Sequence, residues 1–151
     1  MESKNIQIPD FLTQNLKFSK IQCVKSANML VGIELSGKIS YQSVKYSIHY
    51  RCLQSSFSKK SCDEYNDYIR QQGRINTVEN FISLYNSIKD GGFKKDHMIC
   101  VLWSDEHKRW LVLDGFHRLA ILTYLNSDEC ISVVVMKRKW IKRVFHRLFR
   151  F

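Results

Sequence analysis

Residues able to bind an anion are concentrated at Asp114, Gly115, His117 and Arg118. A short apolar run precedes them, and apolar residues at helical spacing follow, so they stand where a strand passes into a helix. The first turn of a helix has unpaired backbone N–H groups and a partial positive charge, and Gly115 would let a phosphate approach closely. The alternative is structural, with Asp114 as an N-cap and Arg118 as a surface charge.

Length and composition indicate one folded domain. The chain has 151 residues, 44% of them hydrophobic, and a single proline, which is typical of a globular protein with a real core. No apolar run approaches the roughly 20 residues that span a bilayer. We predict one domain over residues 1–136 and a separate tail over residues 137–151.

The cysteines are widely spaced and form no CxxC pair. Their spacing and odd number, without a signal peptide, predict free thiols in a reducing cytoplasm and no zinc site. The five positions are Cys23, Cys52, Cys62, Cys100 and Cys130.

The N-terminal half is predicted to be rich in strands. Tyr46, Ile48 and Tyr50 alternate with polar residues, a pattern typical of a half-buried strand. Ser61–Glu64 has the form of a capping box and predicts the start of a helix that Gly73 ends. The other predicted strands cover residues 21–24, 29–35 and 39–42.

The second half is predicted to run helix, strand, strand, helix, strand. Asn76 or Thr77 caps the first helix, Glu79 favours its first turn, and Gly91-Gly92 end it. The predicted strands cover residues 98–103, 109–113 and 131–136. The second predicted helix begins after Asp114 and runs to Leu125. Together the two halves indicate an α+β protein.

Residues 76–136 resemble the ParB/sulfiredoxin-like nucleotide-binding fold, through "SIKDGGF", "MICVLW", "VLDGFHRLAILTYL" and "ISVVVM". The Asp-Gly-Phe-His-Arg sequence looks closest to a branch that includes free-serine kinases and to small ParB-like proteins of bacterial surface-polysaccharide synthesis. The resemblance implies a small mixed sheet with packed helices. By resemblance, Gly115, Phe116, His117 and Arg118 contact nucleotide phosphates, and Asp114 and His117 are catalytic. Asp114 would hold Mg²⁺ or orient the acceptor hydroxyl.

The sequence departs from this family in two places. Sulfiredoxins carry a catalytic cysteine where this chain has Phe116, which argues strongly against sulfinic-acid reduction. The kinases use an acidic base ahead of the long helix, where this chain has Arg74. Arg74 is either a phosphate ligand or a solvated surface residue. The possible bases are Glu79 and Glu64, with Asp63 and Asp67 as further candidates, although capping positions also explain both glutamates.

A possible acceptor pocket is predicted in the less familiar N-terminal half. Its candidates are His49, Arg51, Tyr65 and Tyr68. For the two tyrosines, ordinary packing of a helix face is the preferred explanation, because they are three residues apart.

The tail accounts for most of the net charge. It holds seven lysines and arginines and no acid, so the rest of the chain contributes only three of the ten net positive charges. At helical spacing, its apolar residues fall on one face and most of its basic residues on the other. This pattern is typical of a cationic amphipathic helix that inserts into an anionic membrane surface. The membrane or partner surface would consist of Trp140, Lys142, Arg143, Phe145, Arg147 and Phe149. Packing on the domain and nucleic-acid binding are the alternatives.

These observations lead to one functional prediction and one alternative. We predict a bacterial cytoplasmic, peripherally membrane-bound kinase that uses ATP (or ADP or CTP) and Mg²⁺. Its acceptor would be a hydroxyl of a sugar or lipid-linked glycan in polysaccharide synthesis. The alternative is a non-catalytic nucleotide-binding or DNA-associated ParB-like module, although a carrier of specific DNA recognition is not evident.

Overall fold

A six-stranded mixed sheet connects the two halves of the chain. The computed structural model describes residues 13–94, 97–126 and 129–139. Sheet and helices together confirm the predicted α+β class. The strands are β1 (Leu16–Lys25), β2 (Met29–Leu35), β3 (Lys38–Gln42), β4 (Ile99–Ser104), β5 (Arg109–Asp114) and β6 (Cys130–Arg138). The α-helices are α1 (Ile48–Gln54), α2 (Lys59–Gln71), α3 (Val78–Gly91) and α4 (Phe116–Leu125).

The strand order is β1-β6-β4-β5-β2-β3. Strand β6 lies between β1, to which it is antiparallel, and β4, to which it is parallel. Strand β5 pairs antiparallel with β4 and parallel with β2, and β2 pairs antiparallel with β3. The end of β5, from which α4 follows, is held by β4 through the pairing of Asp114 with Cys100, whereas β2 pairs with β5 only at Trp110 and Leu111.

Helices pack on one face of this sheet. Leu119, Ala120 and Ile121 of α4 are fully buried, in one cluster with Val101 of β4 and Val133 of β6. Alternate residues of β4 and β6 point to the opposite face. Cys100 of β4 and Val134 and Met136 of β6 form a smaller buried cluster there with Met98, which precedes β4.

The strand predicted at Tyr46–Tyr50 is wrong. Residues Val44–Tyr46 form a 3₁₀ turn, and α1 begins at Ile48 after an N-cap at Ser47, whose hydroxyl accepts from the N–H of Tyr50 at 3.2 Å. The buried residues Ile48, His49, Cys52 and Leu53 follow helical spacing. Alternation over five residues could not distinguish the two periods, because the deciding apolar residues come later.

Helix boundaries were predicted with mixed success. The N-cap of α2 is Ser58, whose hydroxyl accepts from the N–H of Ser61 at 3.4 Å, so the capping box predicted at Ser61–Glu64 is wrong. Thr77, one of the two predicted caps, is the N-cap of α3, with its hydroxyl accepting from the N–H of Asn80 at 3.2 Å. The order of elements predicted from residue 76 onward is confirmed.

The expectation of five free thiols is wrong. Cys23 on β1 and Cys130 on β6 form a disulfide, with their Cα atoms 5.5 Å apart. Cys52 and Cys100 are free and buried, and Cys62 is free and half-buried. Burial raises the pKa of the Cys52 thiol to about 12 and that of Cys100 to about 11.

Residue 137 does not mark the end of the sheet. Strand β6 continues through Arg138, and the N–H of Lys139 donates to the carbonyl of Asn15 at 3.1 Å. The residues predicted to meet a membrane or partner, from Trp140 onward, lie outside the described residues. No helix in the described ranges is both long and apolar enough to cross a bilayer.

Candidate functional site

The turn from β5 into α4 presents the start of the helix without a side-chain cap. Asp114 is the last residue of β5, and the N-cap is Gly115 in the left-handed region at φ +95°. The structural role proposed for Asp114 as the N-cap is therefore wrong. Without a capping side chain, the first-turn N–H groups remain suited to an external anion.

This turn lines a cleft of about 520 Å³ between the start of α4 and the start of α3. The volume lies in the range of small-molecule sites. The cleft collects all the residues predicted to bind phosphate, including Arg74 from the α2–α3 connection. Its lining consists of Tyr65, Arg74, Asn76, Asn80, Phe81, Leu84, Leu113, Asp114, Gly115, Phe116, His117 and Arg118.

Charged groups in the cleft favour an anion. The guanidinium of Arg118 lies 4.0 Å from the carboxylate of Asp114, and both side chains are only partly exposed. The exposed Arg74 guanidinium lies 6.0 Å from the centre of the Phe116 ring. Two guanidinium groups against one carboxylate leave the lining with a net positive charge.

His117 is held by aromatic residues from other elements. Its Nε2 atom lies 2.5 Å from the hydroxyl of Tyr65, which belongs to α2 and is fully buried. The ring of Phe81 lies 4.9 Å from the His117 ring, and that of His49 lies 4.4 Å from it, both edge-on. Tyr65 and Phe81 stack at 5.4 Å. His117 is thus fixed in orientation before any ligand binds.

Both histidines of this cluster are neutral at physiological pH. Burial, with Arg74 and Arg118 nearby, lowers the pKa of His117 from 6.5 to about 4. Burial also lowers the pKa of His49, and His117 and Arg74 add to the effect. Burial raises the pKa of Tyr65, which therefore keeps its proton. His117 accordingly acts as a hydrogen-bonding group in the cleft and not as a cation.

The proposed bases do not reach the cleft. Glu79 is an exposed first-turn residue of α3, and Asp63 is exposed on α2, and neither lines a cavity described here. Glu64 and Asp67 line a second cavity instead. Asp114 is therefore the one carboxylate in the lining of the cleft.

The second cavity, of about 440 Å³, contains most of the predicted acceptor residues. His49, Arg51 and Tyr68 line it, whereas Tyr65 lines the first cleft. Phe116 lines both. The packing explanation nevertheless holds for Tyr65, which is fully buried among aromatic rings.

Sequence reasoning missed three polar or aromatic residues of the cleft. Asn76, Asn80 and Phe81 all lie at or near the start of α3. The sequence predicts Asn76 only as a possible cap, and Asn80 and Phe81 are not among the predicted site residues. The available signal was that Arg74 and the cap of α3 are close in sequence, so any site that includes Arg74 also includes this helix start.

The described part of the chain holds no group of three His, Cys, Asp or Glu residues able to bind a metal ion. This does not conflict with a nucleotide-bound Mg²⁺, which usually takes only one or two carboxylates and completes its shell with phosphates and water. Asp114 has the required chemistry. It would be the single protein carboxylate available in the cleft.

Comparisons with known proteins find no match: no family model matches the chain, and no characterised protein or solved structure matches it. The resemblance to the ParB/sulfiredoxin-like fold therefore remains a prediction.

Proposed function

We propose that the protein is a nucleotide-dependent phosphotransferase that binds phosphates in the cleft at the start of α4. The observation that carries the proposal is the uncapped α4 N-terminus, which opens into a cleft lined by two guanidinium groups and a fixed neutral histidine. A helix N-terminus with arginines nearby suits phosphate, since hydrogen bonding and charge act together. Phosphoryl transfer needs mainly positioning and charge neutralisation from a protein.

Each cleft residue has a specific part in this proposal. The first-turn N–H groups and Arg118 would hold phosphate oxygens, and Arg74 would reach the terminal one. If the Tyr65 hydroxyl donates to Nε2 of His117, the ring proton lies on Nδ1, which makes that atom a donor to the same phosphates. Asp114 would hold Mg²⁺, whose charge offsets that of the phosphates, or orient the acceptor hydroxyl.

A non-catalytic nucleotide-binding module is the second candidate, and one observation favours it. Asp114 is the one carboxylate in the lining, and it already lies 4.0 Å from Arg118. A site that only holds a nucleotide needs no additional base. Turnover separates the two candidates, because both bind nucleotide and only the first consumes it.

Both candidate functions require that the protein binds a nucleotide. Calorimetry with ATP, ADP and CTP, each with Mg²⁺, tests this binding. We expect wild-type protein to bind at least one of them, and His117→Ala to weaken binding roughly tenfold by removing one fixed donor. His107→Ala is the matched control, because His107 lies at the β4–β5 turn and bonds Ser104 instead of lining the cleft. Absence of nucleotide binding by the wild type would end the proposal. Transfer of the γ-phosphate to a membrane glycan extract, lost in His117→Ala, would then separate kinase from module.

The membrane part of the proposal concerns residues 140–151. We expect the full chain to float with vesicles containing anionic lipid and not with phosphatidylcholine alone. A Lys142→Glu, Arg143→Glu, Arg147→Glu variant should lose flotation, because each basic residue contributes about 1 kcal/mol near such a surface. Substitution is preferable to truncation at residue 136, since β6 runs to Arg138. Salt-sensitive DNA binding without flotation would favour the DNA-associated alternative.

A further inference from the structure

Strand β3 is the outer strand at one edge of the sheet, and its free edge is exposed. Within the described ranges it pairs only with β2, with which it forms a hairpin. Because β2 pairs with β5 only at Met29 and Leu30, residues 31–42 form a two-stranded arm without a third strand. The residues Lys38 to Tyr41 are all exposed. A two-stranded ribbon gains stability from further strands, and the outer edge of β3 can pair with one.

The turn of this hairpin determines which backbone groups of β3 face outward. Ser36 and Gly37 form a two-residue turn, and both have positive φ, at +52° and +75°, as in a type I′ turn. In such a hairpin the pair of residues that flanks the turn exchanges backbone hydrogen bonds, and the following pairs alternate. Ile39 and Tyr41 fall in the pairs that are not hydrogen-bonded. Their N–H and carbonyl groups therefore point away from β2, towards the outer edge.

The side chains of the same two residues make this edge apolar. Ile39 is 62% exposed and Tyr41 is 38% exposed. Both side chains lie over Gly32 of β2, because a Cβ atom there would be 3.1 Å from Cγ2 of Ile39 and 3.5 Å from Cε1 of Tyr41. Backbone groups that need partners and apolar side chains that gain from burial thus belong to the same residues.

The opposite edge of the sheet is protected against pairing, and this one is not. Strand β1 carries three exposed lysines, Lys17, Lys20 and Lys25. Its pairing with β6 also shifts register between Phe18 and Lys20. Exposed lysines and bulges are the usual means by which proteins prevent an edge strand from pairing with another chain. Strand β3 has one lysine, at its first residue, and a regular register.

Two copies of β3 are complementary to each other. The antiparallel register that places Ser40 opposite Ser40 of a second copy pairs the whole strand. In this register Ile39 faces Tyr41 of the second copy in a hydrogen-bonded pair, on both sides of the centre. A β-branched residue opposite an aromatic one is a favourable cross-strand pair. Lys38 faces Gln42 of the second copy, so no two charged side chains of β3 oppose each other.

We propose that the protein forms a symmetric dimer in which β3 pairs antiparallel with β3 of a second copy, centred on Ser40. The two sheets become one continuous sheet, and each arm gains the further strand that it lacks. The interface is small, with five residues of β3 from each copy, so it belongs with weak protein–protein contacts and has a dissociation constant of roughly 10–100 μM. The dimer is independent of the phosphate cleft, because β3 lines neither cavity.

Sedimentation equilibrium of the full chain, at concentrations on both sides of the expected constant, tests the dimer. We expect a monomer–dimer equilibrium that shifts towards dimer when salt is added. Each copy has a net charge of +10 and repels the other at long range, whereas the paired residues carry no opposed charges. A monomer at every concentration, or a dimer that salt dissociates, would overturn the proposal.

Substitutions at Ile39 locate the interface. Ile39→Pro removes an N–H that points outward and keeps the pairing with β2, so it should weaken dimerisation at least roughly tenfold. Ile39→Lys should do the same without any effect on the backbone, because it places a charge at the edge. Ile21→Lys is the matched control, since Ile21 is 41% exposed on the other edge strand, β1. Equal weakening by the two lysine substitutions would contradict the location.

A cysteine at position 40 tests the register. Residues opposite each other in a pair that is not hydrogen-bonded have Cα atoms about 4.5 Å apart, which a disulfide can span. Ser40→Cys should therefore form a covalent dimer on mild oxidation. Lys38→Cys is the control, because the two copies of residue 38 are about 14 Å apart in this register. Oxidised wild-type protein accounts for the native free thiols. Equal crosslinking of Ser40→Cys and Lys38→Cys would rule out pairing centred on Ser40.

Discussion

The free energy of unfolding is expected to fall by roughly 3 kcal/mol through His117 as pH is lowered from 6.5 to about 4. The ordinary pKa of 6.5 applies to the unfolded chain, and burial beside Arg74 and Arg118 lowers it to about 4 in the native protein. Between these values the unfolded chain holds a proton that the native protein excludes. Acid therefore favours unfolding, and the stability present above pH 6.5 is lost as pH falls through the window.

Urea denaturation at several pH values between 4 and 7 measures this effect. His117→Gln should give a flatter dependence than the wild type, even if it is less stable throughout after losing the hydrogen bond with Tyr65. Some dependence should remain, because the pKa of His49 is also lowered. His107→Gln, which removes a histidine outside the cluster, should keep the wild-type dependence. If the free energy of unfolding changed with pH in parallel for wild type and His117→Gln, His117 would not be held neutral by the fold.

The local part of the site was predictable because sequence neighbours define it. Asp114 to Arg118 span one strand end and one helix start, and the change of apolar period shows where that boundary falls. The same reasoning narrowed the cap of α3 to Asn76 or Thr77, of which the structure shows Thr77. These features depend on a few consecutive residues, so they do not require knowledge of the packing.

The support of His117 was not predictable, because it joins residues that are distant in sequence. Tyr65 meets His117 across 52 positions, and His49 reaches the same cluster from α1. No periodicity or motif encodes such contacts. They also decide the chemistry, because burial in this cluster makes His117 neutral. A sequence motif thus indicated a phosphate site but not the charge state of its histidine.

The disulfide illustrates the same limit. Cys23 and Cys130 meet because Lys25 pairs with Cys130 and Cys23 pairs with Ser132 in the antiparallel β1–β6 register, which places both cysteines on one face. Spacing along the chain carried no sign of this pairing. Only the order of strands, with β6 inserted between β1 and β4, brings the two ends of the domain together.

Replacing Gly115 by alanine should destabilise the protein by roughly 3 kcal/mol. The residue lies at φ +95°, where an L side chain is strained. A Cβ atom there would also lie 3.0 Å from Cγ1 and 3.2 Å from Cα of Ile99, a fully buried residue of β4. The backbone of β4 cannot move aside without disturbing its pairing with β5 and β6.

Gly73→Ala is the matched control, since Gly73 also has a left-handed conformation, at φ +63°, but nothing lies within 4 Å of its added Cβ. We expect it to cost about 1 kcal/mol, from backbone strain alone. If urea denaturation showed the same loss of unfolding free energy for Gly115→Ala and Gly73→Ala, the contact with Ile99 would relax freely. A larger loss at Gly115 would mean that this glycine is required by the sheet before any phosphate is considered. Its presence in the motif would then not by itself be evidence for a nucleotide, and the phosphate proposal would depend on the uncapped helix start, Arg118 and the orientation of His117.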